Sequence, residues 1–206
     1  MEQTPIVIIG GPSRVGKSDL ANRLAEHSLL QSFDIFRLDS FRAALMELGV
    51  YPYSGVVASN PGNPEAWKAA DAISARASFP YLEMSASRGL PTIAEGLYWP
   101  SFVSGHQWPE NVQVVSVCLI RSVRDIDREV ALLKKIAAKE PGRFLSRLAD
   151  EGDEALARYA RELGVWSDAM KREARADMAH RLYDTAEGYE DTLGRCIEDI
   201  LWEMPV

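Results

Sequence analysis

Residues 6–18 read Ile6-Val7-Ile8-Ile9-Gly10-Gly11-Pro12-Ser13-Arg14-Val15-Gly16-Lys17-Ser18, and this stretch decides the fold. Its first four residues are wholly apolar and β-branched, the pattern of a strand covered on both faces in a parallel sheet. Gly10-Gly11 stops the run. From Gly16 to about Gln31 the apolar positions Leu20, Ala21, Leu24 and Ala25 recur at three and four, which predicts a helix with one buried stripe. Between strand and helix, Gly11-Pro12-Ser13-Arg14-Val15-Gly16-Lys17-Ser18 fits G-x-x-x-x-G-K-[ST]. A chance match in a chain of this length has odds of about one in a hundred before that context is counted. Unpaired N–H groups at a helix start can wrap phosphate oxygens where glycines leave room. Lys17 adds a mobile cation for the outer phosphates, and Ser18 a hydroxyl for Mg²⁺.

Outward from this loop, apolar runs alternate with helical patterns. Strands are expected at about Asp34 to Leu38, Pro91 to Ala94, Val112 to Ile120 and Arg181 to Asp184, with a helix from Ser40 to Leu48 closed by Gly49. Asn63-Pro64-Glu65 opens a helical region to Arg88 with a break near Pro80. Arg121 to Leu163 reads as helical with an interruption at Pro141-Gly142. A further helix starts near Trp166, and Tyr189 to Trp202 is an amphipathic closing helix. Residues 50–63 read as an irregular loop. Five strands alternating with helices imply one α/β domain with a parallel sheet.

The chain has 206 residues, enough for a self-sufficient core, with 47% hydrophobic and 26% charged residues. Its net charge of −7 argues against bulk nucleic-acid binding. No apolar stretch approaches the roughly 18 residues of a membrane span and the N-terminus lacks a basic leader, so a cytoplasmic location is expected. Cys118 and Cys196 fall in apolar runs and read as buried thiols; His27, His106 and His180 are scattered and offer no zinc spacing.

In an open parallel sheet, ligands lie beyond the carboxyl ends of the strands. Asp39 and Glu95 both sit there. One carboxylate can orient or deprotonate an acceptor hydroxyl, while the other holds Mg²⁺ directly or through water. The rival reading makes Asp39 the N-cap of the helix from Ser40. Arg42, three residues on, presents a fork of donors suited to an anionic acceptor, or simply pairs with Asp39. Tyr51, Tyr53 and Trp67 are candidates for an acceptor wall, against the alternative that such aromatics are core. Arg121, Arg124 and Arg128 fall within roughly 60° on a helical wheel.

On its phosphate loop, together with Asp39-Ser40-Phe41-Arg42 and Glu95-Gly96-Leu97-Tyr98-Trp99-Pro100, the chain resembles the P-loop kinase superfamily, nearest to the 2-phosphoglycerate-kinase-like small-metabolite kinases. Arg14 stands where the family commonly has glycine or a small residue, and the histidine expected after Glu95-Gly96 is missing, which points to a different acceptor. The resemblance implies a three-layer α/β/α P-loop fold like that of the nucleoside-monophosphate kinases. Its five parallel strands lie in a single domain, 1–206, with a helical lid at about 121–152. It implies an ATP- and Mg²⁺-dependent transfer of the γ-phosphate to a hydroxyl of a small, anionic metabolite. Lys17, Asp39 and Arg128 would be catalytic. Gly11, Pro12, Ser13, Arg14, Val15, Gly16, Lys17, Ser18, Asp19 and Arg124 would bind nucleotide; Arg42, Glu95 and Tyr53 would bind substrate, with Ser18 and Glu95 at the metal. Partners would be ATP and the small acceptor, and the protein would act as a monomer or homodimer. A nucleoside or nucleotide kinase, and an ATP-sensing regulator without turnover, are the alternatives.

Overall fold

Ile6 to Ile9 are completely buried because their strand, β1 (Thr4–Gly10), lies in the middle of the sheet. The computed structural model describes residues 3–50, 63–142, 144–177 and 179–204. In chain order β1 is followed by α1 (Lys17–Glu26), β2 (Asp34–Arg37), α2 (Leu38–Glu47), α3 (Pro64–Ser87), β3 (Thr92–Glu95), α4 (Pro100–Ser104) and β4 (Val112–Ile120). Then come α5 (Ile126–Lys139), α6 (Phe144–Asp150), α7 (Asp153–Ala176), β5 (His180–Asp184), a 3₁₀ turn at Thr185–Glu187 and α8 (Tyr189–Glu203). The five strands are parallel in the order β2-β3-β1-β4-β5. Register places Ile8 opposite Ala94 and Arg37 opposite Glu95.

Alternation along β1 sends its side chains into two layers. Val7 and Ile9 join Leu20 and Leu24 of α1 and Leu193, Cys196 and Ile200 of α8. Ile6 and Ile8 join Ala75, Phe79 and Leu82 of α3. The same second face is extended by Cys118 and Ile120, which pack on Ala169, Met170 and Ala174 of α7. The N-terminal half of α7 leaves the sheet: Leu156 and Ala160 form a separate core with Val130 and Leu133 of α5 and Leu145 of α6. Thus α7 is shared by the sheet and a helical cap. The expected three-layer α/β/α fold with five parallel strands is found. Among the described residues no helix is long and apolar enough to cross a membrane, and both cysteines are free and buried.

Several local expectations are corrected. No break occurs at Pro80, and α3 runs through it. A mid-helix proline costs about 3 kcal/mol, but Phe79 and Leu82 beside it each recover about 1.5–3 kcal/mol by burial. Pro80 and Arg76, whose carbonyl it frees, are both exposed, so water can satisfy that carbonyl. Nor does a helix end before Trp166; α7 continues through Gly164, where a Cβ would already touch Val123 at 3.4 Å. Residues 121–125 are not helical. Asp125 caps α5 by accepting from the Arg128 N–H at 3.0 Å, so the helix starts at Ile126 and the wheel argument for Arg121 and Arg124 lapses. Tyr51, Tyr53 and most of the loop expected at 50–63 lie outside the described residues.

Candidate active site

The turn from β1 into α1 holds its shape through close backbone approaches. A Cβ on Gly11, at φ +144°, would come within 2.1 Å of the Leu119 carbonyl oxygen, and one on Gly10 within 2.3 Å of that of Tyr98. Val15 is fully buried in the core below and pins the loop from inside. Arg14 sits at φ +64°, a left-handed conformation unfavourable for a residue with a Cβ, and its guanidinium reaches Glu140 at the end of α5 at 2.7 Å. Gly16 is the N-cap at φ +99°. The first helical bond runs from the Leu20 N–H to the Gly16 carbonyl at 2.9 Å. The N–H groups of Lys17, Ser18 and Asp19 have no backbone acceptor among the described residues.

Lys17 is buried and donates from Nζ to the Pro12 carbonyl at 2.6 Å, which leaves two of its protons for a ligand. Burial lowers its pKa below 10.5, while the Asp39 and Glu95 carboxylates oppose that shift. Ser18 Oγ donates to Glu95 Oε1 at 3.1 Å, and Arg37 reaches the same oxygen at 3.1 Å. Glu95 closes β3, the neighbour of β1, so adjacency in the sheet brings this carboxylate beside the loop hydroxyl. A hydroxyl and a carboxylate are hard oxygen donors of the kind Mg²⁺ takes. Among the described residues no group of three or more Asp, Glu, His or Cys side chains is arranged to hold a metal ion. Two protein oxygens suit a cation that keeps most of its shell for water and phosphate oxygens.

Asp19, expected as a nucleotide contact, is occupied in the wall. It accepts from Tyr189 Oη at 2.9 Å and pairs with Arg23, which also holds Glu190. Tyr189 lies over Gly16, where a Cβ would meet its hydroxyl oxygen at 2.8 Å.

Asp39 is not an N-cap. Arg37 holds that position and α2 begins at Leu38, so Asp39 lies in the first turn with its side chain 57% exposed toward the cleft. Arg42 pairs with Asp39 at 3.0 Å and with the buried Asp71 of α3 at 3.4 Å; Asp71 in turn accepts from Trp99 Nε1 at 3.1 Å. The guanidinium that favoured an anionic acceptor therefore faces two carboxylates of its own protein.

The cap arginines separate in the structure. Arg128 lines the cleft, whereas Arg124 is exposed and absent from its lining. Arg121 lines it too, bound to Glu129 at 2.7 Å and to the Thr185 carbonyl at 3.4 Å. The cleft, about 1200 Å³, runs from Thr185, Gly188 and Tyr189, which follow edge strand β5, to Asp39 and Arg42, which follow edge strand β2, and is also lined by Leu97, Trp67 and Trp166. That exceeds the roughly 300–1,000 Å³ of a single small-molecule site. Asp71, Tyr159 and Trp166 carry no motif that marks them as site residues in the sequence. Tyr159, a lining residue near Ser13, has its phenol pushed up to about 12 by burial.

No family model matches the chain, and no curated protein matches it. Solved structures do. A provisionally named kinase from Chloroflexus aurantiacus J-10-fl is 12% identical over 99% of this chain and 100% of its own, with a TM-score of 0.56. TT1252 from Thermus thermophilus is 17% identical over the full length of both chains, with a TM-score of 0.50. A gluconokinase from Sinorhizobium meliloti 1021 is 13% identical over both full lengths, at 0.46. The first two share this α/β fold, and at such identities the likeness is one of fold.

Proposed function

We propose that the chain is a kinase that uses ATP with Mg²⁺ and transfers the γ-phosphate to a hydroxyl of a small molecule. The observation that carries this reading is the Ser18–Glu95 contact at 3.1 Å at the foot of the phosphate loop, next to the buried Lys17. A regulator that merely senses Mg²⁺-nucleotide would use the same pair, but gains nothing from Asp39, whose carboxylate is exposed toward the cleft. The name of the Chloroflexus structure agrees with a kinase.

The residues present fit a triphosphate with its metal. The free N–H groups of the loop and Lys17 would hold phosphate oxygens, and Ser18 and Glu95 would hold the cation. Bound magnesium would neutralise charge on the outer phosphates. Arg128 would meet charge on the transferred group, with the α5–α7 cap closing over it. Asp39, at the far side of the cleft from Tyr189, would orient the acceptor hydroxyl and take its proton. The resemblance to 2-phosphoglycerate-kinase-like proteins remains part of this reading only for the loop and for Asp39; the acceptor is left to the geometry. A nucleoside or nucleotide kinase is the nearest alternative, since fold does not choose an acceptor.

Acceptor-dependent ADP release, measured with nucleosides, phosphorylated hydroxy acids and neutral alcohols in one panel, tests the reading. A kinase releases ADP with at least one class and loses that release on Lys17→Ala. Release of ADP that no acceptor changes would overturn it.

A further inference from the structure

Trp166 is buried at 8% exposure, lines the cleft, and its indole Nε1 is a buried donor with no hydrogen-bond partner. An orphaned buried N–H is costly, about 1–3 kcal/mol, and such donors are ordinarily paired. Its ring packs edge-on to Trp67 with centroids 4.5 Å apart. Trp67 and Asp71 are four residues apart on α3 and share one of its faces, so the indole pair adjoins the Arg42–Asp71 contact by one helical turn. Leu97, together with Leu132, Leu133 and Ile136 of α5, lines the same cleft.

Charge at this end is already accounted for. Arg42 faces Asp39 and Asp71. Glu162, one turn before Trp166 on α7, adds another carboxylate to the lining, and burial raises its pKa. A second anion brought here would meet the carboxyl groups of Asp39, Asp71 and Glu162, while Arg42 is engaged by Asp39 and Asp71, and Lys17, which also feels Asp39, is held by the Pro12 carbonyl at the phosphate loop. Indole faces and aliphatic side chains instead favour a flat apolar body.

Resting on the kinase reading above, we infer that the acceptor is an uncharged alcohol with a planar apolar body, seated against Trp67 and Trp166, with an oxygen that accepts from Trp166 Nε1. The hydroxyl to be phosphorylated then points toward Asp39 and the phosphate loop. In the transfer, the acceptor oxygen forms the new P–O bond as the bond from the γ-phosphorus to the bridging oxygen breaks. ADP leaves with that electron pair, and the hydroxyl proton passes to Asp39.

The test uses the full chain with a non-hydrolysable ATP analogue and Mg²⁺, and three probes that share vicinal hydroxyls: 1-phenyl-1,2-ethanediol, glycerol and glycerate. Binding is followed by calorimetry and by tryptophan fluorescence. The phenyl diol is expected to bind about tenfold or more tighter than glycerol or glycerate, as burial of a ring requires. Trp166→Phe keeps an aromatic ring but loses the N–H together with the pyrrole half of the indole; it should weaken that binding about three- to tenfold while leaving the affinity for the ATP analogue at the parental value. Glycerate binding as tightly as the phenyl diol, or Trp166→Phe without effect on the diol, overturns the inference. ADP release with ATP separates the two levels. Release driven by glycerate but not by the phenyl diol sinks this inference and leaves the kinase intact. Tight diol binding with no acceptor-dependent release by any alcohol sinks the kinase reading and leaves the pocket.

Discussion

Ser18 Oγ and Glu95 Oε1 stand 3.1 Å apart across a separation of 77 positions, joined because β3 pairs with β1 residue for residue up to Ile9 and Glu95. Glu95→Gln keeps the shape and the hydrogen bond but removes the charge. The affinity for ATP in the presence of Mg²⁺ should fall and its dependence on Mg²⁺ concentration should flatten, with kcat reduced by about 100-fold or more. A Mg²⁺ titration identical to that of the parent would remove Glu95 from the metal side.

Lys17→Ala should abolish acceptor-dependent ADP release while far-ultraviolet circular dichroism is unchanged. The ammonium donates within its own loop to the Pro12 carbonyl and does not cement the core. Loss of a phosphate-clamping cation costs several kcal/mol in the transition state, so about 100-fold or more in rate. Turnover within about threefold of the parent would defeat the kinase reading.

The two carboxylates around Arg42 should separate by readout. Asp71 is 1% exposed and holds both Arg42 and Trp99, so Asp71→Ala should destabilise the fold by about 3 kcal/mol in urea denaturation. Asp39 is half exposed; Asp39→Ala should change stability by less than about 1 kcal/mol yet lower kcat with ATP affinity preserved. Equal stability losses in the two variants would show that Asp39 is structural.

Arg128→Ala should lower kcat by about tenfold or more with a smaller change in the KM for ATP, whereas Arg124→Ala should stay near parental, because Arg128 lines the cleft and Arg124 does not. Steady-state kinetics on both variants decide the point, and equal losses would contradict the geometry.

His180 gives stability a pH dependence. Burial lowers its pKa below 6.5, and it contacts Ser116 Oγ through Nδ1 at 2.8 Å, with Asp177 3.5 Å from Nε2. The unfolded chain therefore binds a proton at higher pH than the folded one, so stability declines as pH falls from about 6.5 through the lowered folded value. His180→Gln should flatten the melting temperature between about pH 7 and pH 5; an unchanged slope would assign the dependence to other groups.

How much of this was legible in the sequence follows the range of each signal. The phosphate loop and β4 were readable because a β-branched run and a glycine pattern act locally. The helix boundaries at Leu38 and Ile126 were missed where a capping choice competed: Asp39 looks like a cap and is not one, while Asp125 is. Pro80 and Gly164 misled because the buried stripe they interrupt gains more from continuity than either residue costs. Trp166 acquires meaning only once α3 and α7 converge on one cleft, and Asp71 only through Arg42, which it holds at the cleft wall. No spacing in the chain encodes that convergence.

The placement of β1 between β3 and β4 also has a consequence for biosynthesis. During synthesis the whole phosphate loop emerges before either strand that flanks β1, since Ile8 pairs with Ala94 and Ser116. The carbonyl of Leu119, which Gly11 must pass within contact distance, is made later still. The nascent loop cannot take its nucleotide-binding shape until Leu119 has emerged, and a fragment ended before β3 would present a bare apolar strand in place of a competitor for ATP.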